Sequence, residues 1–171
     1  MDSGEIINKV AQSGLVTFNL QDYYTQGKRQ VLDIQEWLFK GLMLKEKEFR
    51  EFVKAHDWSQ YSGGCVSIIC SADAIVPTWA YMLIATKLQP HTDNFVFGSL
   101  SELETELFVR ALSKVDFSNY TDAKIVIKGC SEVEVPIAIY VEVTRLLMPL
   151  AAKLMYGEPC STVPLWKKDL V

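Results

Sequence analysis

The feature that most constrains this chain is an internal repeat with a period of 59 residues. When the sequence is shifted by that period, residues 44–98 align with residues 103–157 without a gap, and twelve of the fifty-five positions are identical. The identical pairs are Leu44/Leu103, Phe49/Phe108, Asp57/Asp116, Ser59/Ser118, Tyr61/Tyr120, Ile68/Ile127, Val76/Val135, Pro77/Pro136, Tyr81/Tyr140, Leu88/Leu147, Pro90/Pro149 and Gly98/Gly157. Because chance similarity does not keep its register over such a length, the pattern indicates a true duplication.

Each copy is predicted to be a unit of amphipathic helix, strand, apolar helix and strand. The predicted ranges are 45–55, 65–70, 77–89 and 94–97 in copy one, and 102–113, 124–128, 136–148 and 153–156 in copy two. Residues 137–143 alternate as in a strand, but their counterparts in copy one are continuously apolar, and a proline begins both segments, which favours a helix. Ser101 with Glu104 is a predicted capping box for the first helix of copy two.

The residues before the repeat are predicted to form a short helix from Ser3 to near Gly14 and two strands, at 16–20 and 31–34. The apolar cluster at 37–43 is predicted to be helical. Strands that alternate with helices imply parallel pairing with right-handed crossovers. We therefore expect an α/β fold of three layers, with a mainly parallel sheet of about five strands and an extra N-terminal strand that pairs antiparallel at an edge.

Length and composition favour one domain over residues 1–171, made of an N-terminal segment (residues 1–43), repeat one (44–98), repeat two (103–157) and a C-terminal tail (158–171). Apolar residues make up 49% of the chain, which is enough for a core. A net charge of −4 argues against a nucleic-acid partner. No apolar run is long enough for a signal peptide or a membrane span, which predicts a cytoplasmic protein with reduced thiols.

Three of the four cysteines come at the end of predicted parallel strands. Cys70 ends one strand, Cys130 follows the next, and Cys160 comes just after the last. Since the carboxyl ends of parallel strands share one edge, where open α/β sheets bind their ligands, we expect these thiols to lie together. Cys65 begins its strand and is predicted to be structural.

The chemistry of this set favours a metal. A thiol near a helix N-terminus is stabilised as thiolate, the form that binds metal. Asp73 and Glu158 are the expected oxygen ligands beside Cys70, Cys130 and Cys160. We therefore expect zinc, iron or an iron–sulfur species in a tetrahedral or open site.

Two other functions are compatible with the same residues. In one, Cys70 or Cys130 is the nucleophile of a thiol-dependent enzyme. In the other, the cysteines are buried structural residues and the chain is a dimeric adaptor without an active site, with its apolar helices as the interface. There is no glycine-rich phosphate loop, so no nucleotide cofactor is expected. His56 and His91 are predicted to be exposed loop residues, and Tyr81 and Tyr140 to be core residues.

Several long phrases of the sequence resemble a bacterial domain-of-unknown-function family, number 2480, over essentially the whole chain. The phrases are GEIINKVAQSGLVTFNLQDYY, HDWSQY, SADAIVPTWAYM, KGCS and MYGEPCSTVP. The resemblance implies no activity and carries over no site residue. It implies a gene neighbourhood that includes iron–sulfur cluster assembly genes, and so iron–sulfur assembly proteins as expected partners.

Overall fold

The computed structural model describes residues 14–129 and 132–169 of the 171-residue chain. These residues contain seven strands and four α-helices. The strands are β1 Leu15–Asn19, β2 Arg29–Asp33, β3 Cys65–Ile69, β4 Phe95–Phe97, β5 Lys124–Lys128, β6 Lys153–Glu158 and β7 Ser161–Lys167. The helices are α1 Glu46–Ala55, α2 Thr78–Leu88, α3 Leu100–Leu112 and α4 Ile137–Leu147. The helix predicted near Ser3 lies outside the described residues.

Both copies of the repeat have the predicted order of elements, with every boundary within two residues of the predicted one. The predicted capping box of α3, Ser101 with Glu104, is wrong by two positions. The helix begins at Leu100, and the observed box is Ser99 with Glu102. The Ser99 hydroxyl accepts the backbone N–H of Glu102 at 3.3 Å, and the Glu102 carboxylate accepts the backbone N–H of Ser99 at 2.7 Å. These two bonds satisfy donors that a helix start would otherwise leave unpaired.

The predicted helix at 37–43 is absent from the described structure, where only a 3-10 turn, Gln35–Trp37, precedes it. Lys40 and Gly41 have φ values of 53° and 66°. This left-handed conformation is incompatible with a right-handed helix, so the apolar cluster is a turn.

The chain divides into two compact units. The first unit is Thr25–Leu107, and the second comprises the described residues of Met1–Tyr24 and Phe108–Val171. Each unit thus contains one N-terminal strand and the strands of one copy of the repeat.

The seven described strands form two sheets, whereas the sequence predicts a single sheet of about five strands. The first sheet has the order β2-β3-β4 and is entirely parallel. The second has the order β1-β5-β6-β7 and is parallel except for β7, which pairs antiparallel with β6. The α/β class and the mainly parallel pairing are confirmed. The antiparallel edge strand is β7, from the predicted tail, whereas the N-terminal β1 pairs parallel with β5.

A second, shorter duplication explains why each unit has its own first strand. The partner of Leu15 is Lys124, and the partner of Arg29 is Cys65. Since Cys65 and Lys124 are equivalent in the 59-residue repeat, β1 and β2 are equivalent at a shift of 14 residues. Under that shift the sequence FNLQDY aligns with LDIQEW, and each segment runs from its strand into a 3-10 turn.

Each unit packs its helices on its sheet through equivalent positions. Phe49 and Phe108 are both fully buried, and each lies in the core of its own unit. The other equivalent core pairs are Leu32/Phe18, Ile34/Leu20, Val53/Leu112, Val66/Ile125, Ile68/Ile127, Ala80/Ile139, Ile84/Val143 and Leu88/Leu147. The carboxyl ends of the parallel strands are therefore supported by equivalent buried residues in the two units.

Candidate functional site

The carboxyl edge of the β2-β3-β4 sheet is the region of the first unit where polar groups gather. Asp33 is the last residue of β2, and Cys70 and Ser71 follow β3 directly. The backbone N–H of Ile34 bonds to the carbonyl of Ile69 at 3.0 Å, so the two chains stay paired as they leave the sheet. Open α/β sheets bind ligands at this edge, which makes these residues the first candidates for a site.

Asp33, Gln35 and Ser71 form a hydrogen-bonded network there. Asp33 Oδ1 accepts the backbone N–H groups of Gln35 at 3.0 Å and of Ser71 at 3.1 Å, and Oδ2 accepts the Ser71 hydroxyl at 2.5 Å. The Gln35 side-chain amide lies 2.5 Å from the same hydroxyl oxygen. Because a hydroxyl has a single proton, both contacts are satisfied when that proton goes to Asp33 and the amide turns its NH₂ group toward Ser71.

The network keeps Asp33 ionised. Partial burial by itself would raise the pKa of this carboxyl, but the hydrogen bonds from Ser71 and Gln35 outweigh it and lower the pKa below its usual value. Asp33 is therefore an anion that fixes the loop after β3, and it does not hold a proton for transfer near neutral pH.

Cys70 and Tyr81 lie beside this network. The Cys70 thiol is half-buried and donates to the carbonyl of Ala72 at 3.6 Å. Tyr81, on α2, packs its ring edge-on against Phe97 with the ring centroids 4.8 Å apart. Burial raises the pKa of Tyr81, and electrostatic interactions with Cys70 and Asp33 raise it further. Tyr81 thus keeps its phenolic proton near neutral pH.

The second unit has a different residue at the position of the thiol. Gly129 is the counterpart of Cys70 in the repeat, and Tyr140 is the counterpart of Tyr81. A Cβ atom built on Gly129 would lie 2.5 Å from the Tyr140 hydroxyl oxygen. The hydroxyl of Tyr140 therefore occupies the space that a side chain at position 129 needs, and it would have to move to admit a thiol equivalent to Cys70.

The carboxyl edge of the sheet in the second unit has polar residues at the positions equivalent to Asp33 and Gln35. Asn19 stands where copy one has Asp33, and its side-chain oxygen accepts the backbone N–H of Gln21 at 3.3 Å. Gln21, the counterpart of Gln35, donates from its amide to Glu132 Oε2 at 3.0 Å. The duplicated edge has thus diverged into a thiol-bearing form and a form without that thiol.

The predicted metal ligands are divided between the two units. Cys70 follows a strand of the three-stranded sheet, and exposed Asp73 lies in the loop that leads from it to α2. Cys160 is exposed in the turn between β6 and β7 of the other sheet. Glu158 is exposed and pairs with Lys128 at 3.0 Å. Cys130 lies outside the described residues.

Cys70 and Cys160 follow strands of different sheets, whereas the sequence predicts all three thiols at the edge of one sheet. Within residues 14–129 and 132–169, no group of three His, Cys, Asp or Glu residues could hold a metal ion. With Cys130 undescribed, the three-cysteine site and its zinc or iron stay a prediction of the sequence.

Of two further side chains, His56 differs in its surroundings from the sequence prediction and Cys65 does not. His56 is half-buried among aromatic rings instead of exposed, with Nε2 at 3.0 Å from the Tyr61 hydroxyl and its ring 5.0 Å from that of Trp37. Burial lowers the pKa of His56. Cys65 is fully buried, its thiol lies 3.7 Å from the carbonyl of Gln26, and burial raises its pKa.

Asp33, Gln35 and Ser71 are not among the site residues predicted from the sequence, and Tyr81 is predicted there to be core. A signal for three of these residues is present. The 14-residue duplication aligns Asp33 with Asn19 and Gln35 with Gln21, and the longer repeat keeps a tyrosine at 81 and 140. Repetition of a polar residue at the end of a strand indicates a shared structural role, which neither strand shows when taken alone.

A comparison with family models gives one match over nearly the whole chain. The model described as a protein of unknown function, DUF2480, matches residues 4–168. No curated protein and no solved structure matches the chain. No helix in the described residues is long and apolar enough to cross a membrane.

Proposed function

We propose that this chain, which belongs to the DUF2480 family of unknown function, carries a thiol-dependent site at the carboxyl edge of the β2-β3-β4 sheet, with Cys70 as the reacting group. The observations that support the proposal are a half-buried thiol just after a parallel strand, and a tyrosine whose pKa is raised by burial and by its electrostatic interaction with that thiol. The matched edge of the second unit has a glycine in place of the thiol.

The roles follow from the chemistry of the groups. The Cys70 sulfur, as thiolate, would add to a carbonyl carbon of a small ligand, so that an S–C bond forms, the C=O π bond breaks and its electron pair moves to the oxygen, while the proton lost from sulfur passes to solvent. Tyr81 would donate its phenolic hydrogen to the oxygen on which negative charge develops. Asp33, Gln35 and Ser71 would act as positioning residues, because their network holds the loop that carries the thiol.

The experiment is site-resolved alkylation with iodoacetamide, followed by mass spectrometry of each cysteine-containing peptide. We expect Tyr81→Phe to slow alkylation of Cys70 several-fold near neutral pH, because the hydrogen-bond donor proposed for the thiolate and the transition state is then lost. Tyr140→Phe, the matched change in the other copy, should leave the rate at Cys70 unchanged. Equal rates in wild type and Tyr81→Phe would remove Tyr81 from the mechanism.

The metal site is a separate proposal, supported by the donor types of Cys70, Cys130 and Cys160 and by the gene neighbourhood that the family resemblance implies. Elemental analysis of protein purified anaerobically without added metal tests it. Near-stoichiometric zinc or iron, lost in each single Cys→Ser variant, would support it, since each thiolate supplies a bond. Metal-free protein whose thiols all titrate would overturn it. A cytoplasmic location and a homodimer stay predictions of the sequence.

A further inference from the structure

The second unit carries an apolar cleft of about 560 Å³ beside α4. We call it the α4 cleft. Its walls are Ile137, Tyr140, Val141 and Thr144 of α4, Tyr156 of β6 and Leu165 of β7. The β7 wall has no counterpart in the first unit, whose described sheet stops at three strands. One wall of the cleft is thus supplied by a strand that has no equivalent among the described strands of the first unit.

Large apolar side chains are exposed to solvent along this cleft. Ile137 is 81% exposed, Val141 66% and Leu165 50%. Single exposed apolar residues are common on protein surfaces, but a contiguous set around a concave surface is a feature of binding sites. The volume lies within the range of about 300–1,000 Å³ that is usual for small-molecule sites.

The lining of the cleft offers little to a charged ligand. The Thr144 hydroxyl already donates to the backbone carbonyl of Tyr140 at 2.7 Å. The Tyr140 hydroxyl lies against Gly129, at the space that a Cβ there would fill. None of the described lining residues carries a charge. A charged ligand would therefore lose its hydration without gaining an ionic partner, which selects for a neutral one.

We propose that the α4 cleft binds a neutral, mostly apolar small molecule that includes a flat ring. The rings of Tyr140 and Tyr156 meet at 81° with their centroids 5.8 Å apart, so they form a corner of two aromatic surfaces. Such a corner accepts a ring stacked on one surface and edge-on to the other. This site lies in the second unit and does not depend on the Cys70 chemistry.

The test is a fluorescence titration of the full chain with N-phenyl-1-naphthylamine, a neutral probe with flat aromatic rings. We expect saturable binding with one probe per chain. Val141→Asp should weaken it at least tenfold, because a carboxylate would be desolvated against the probe. The matched control is Met82→Asp at the equivalent position of α2, where the side chain is 64% exposed. It should leave probe binding unchanged, as should Cys70→Ser.

Leu165→Asp, on the opposite wall, provides a second variant in case the substitution in α4 disturbs folding. It should weaken probe binding as Val141→Asp does. The proposal is overturned by non-saturable binding, or by equal losses in Met82→Asp and Val141→Asp. It is also overturned if the wild type is a dimer that Val141→Asp converts to monomer without probe binding, because a second copy would then cover the cleft.

Discussion

Substitution of Gly129 by alanine should test the central comparison between the two copies. An alanine Cβ would lie 2.5 Å from the Tyr140 hydroxyl oxygen, inside the 3.0 Å below which such contacts are essentially never found. Overpacking of this kind costs about 1–3 kcal/mol. Gly129 is not among the glycines with positive φ in the described residues, so alanine also recovers about 0.4–1 kcal/mol through the unfolded state. The expected net loss in unfolding free energy is about 1–2 kcal/mol.

Removal of the tyrosine oxygen should reverse the sign of this effect. With Tyr140→Phe in place, the nearest atoms to the new Cβ are Cζ at 3.5 Å and Cε1 at 3.7 Å, which are ordinary contacts. In that background Gly129→Ala should be neutral or stabilising by up to about 1 kcal/mol. The coupling energy between the two positions is then about 1–3 kcal/mol, a size typical of residues in direct contact.

Urea unfolding of the wild type, both single variants and the double variant gives this coupling directly. Thermal unfolding offers a second readout, since about 1 kcal/mol corresponds to a shift of about 2–4 °C in a protein of this length. If Gly129→Ala costs the same with and without the Tyr140 hydroxyl, the hydroxyl does not fill the position of the missing side chain.

Two further substitutions use one copy as the template for the other. His56→Val, which copies Val115, should reduce the loss of stability on acidification. The pKa of His56 is lowered in the folded state, so as pH falls through about 6.5 the unfolded chain takes up the proton first and the wild type is destabilised. The polar groups around His56 are Tyr61, Gln60 and Asp57. The urea midpoints measured at pH 7.5 and pH 5.5 should therefore lie closer together in the variant than in the wild type. Asp33→Asn, which copies Asn19, should lower the unfolding free energy at pH 7 by about 1 kcal/mol, because one charge-assisted bond from Ser71 is lost. Since the pKa of Asp33 is lowered, this difference should be present above pH 4 and disappear as pH falls through the folded pKa, and a constant difference down to pH 2 would contradict it.

The repeat allowed most of the local structure to be predicted. Residues 137–143 alternate as a strand does, and only comparison with their counterparts in copy one identified the helix α4. The same comparison placed the strands β3 and β5 and the prolines before α2 and α4. Two aligned copies act as a small sequence alignment. Features that occur in only one copy can then be told apart from those that both copies share.

The pairing of strands could not be predicted from the same pattern. β1 and β2 have similar local sequences, and nothing within either strand indicates which of β3 and β5 it joins. β7 was missed because Pro164 interrupts its sequence, although an edge strand tolerates a proline, and here the pairing is also irregular beside it. The division into two sheets therefore depends on long-range contacts that a single sequence does not display.

The candidate site was predicted only in part. The position of Cys70 at the carboxyl end of a parallel strand follows from the predicted elements and is confirmed. Asp33, which bonds to Ser71 next to Cys70, comes from β2, and Tyr81, which interacts electrostatically with Cys70, comes from α2. Those interactions depend on how β2 pairs with β3 and on where α2 lies, so they required the structure.

The most direct test of the proposed function is the ratio of the alkylation rates of Cys70 and Cys160 in the folded wild-type protein. Cys160 is exposed and Cys70 is half-buried, so accessibility alone favours Cys160. A site that activates its thiol predicts that Cys70 reacts faster in spite of its burial, and that the ratio falls on unfolding in urea. If Cys160 reacts faster in the folded protein, Cys70 is an ordinary thiol and the account of the β2-β3-β4 edge as a reactive site is wrong.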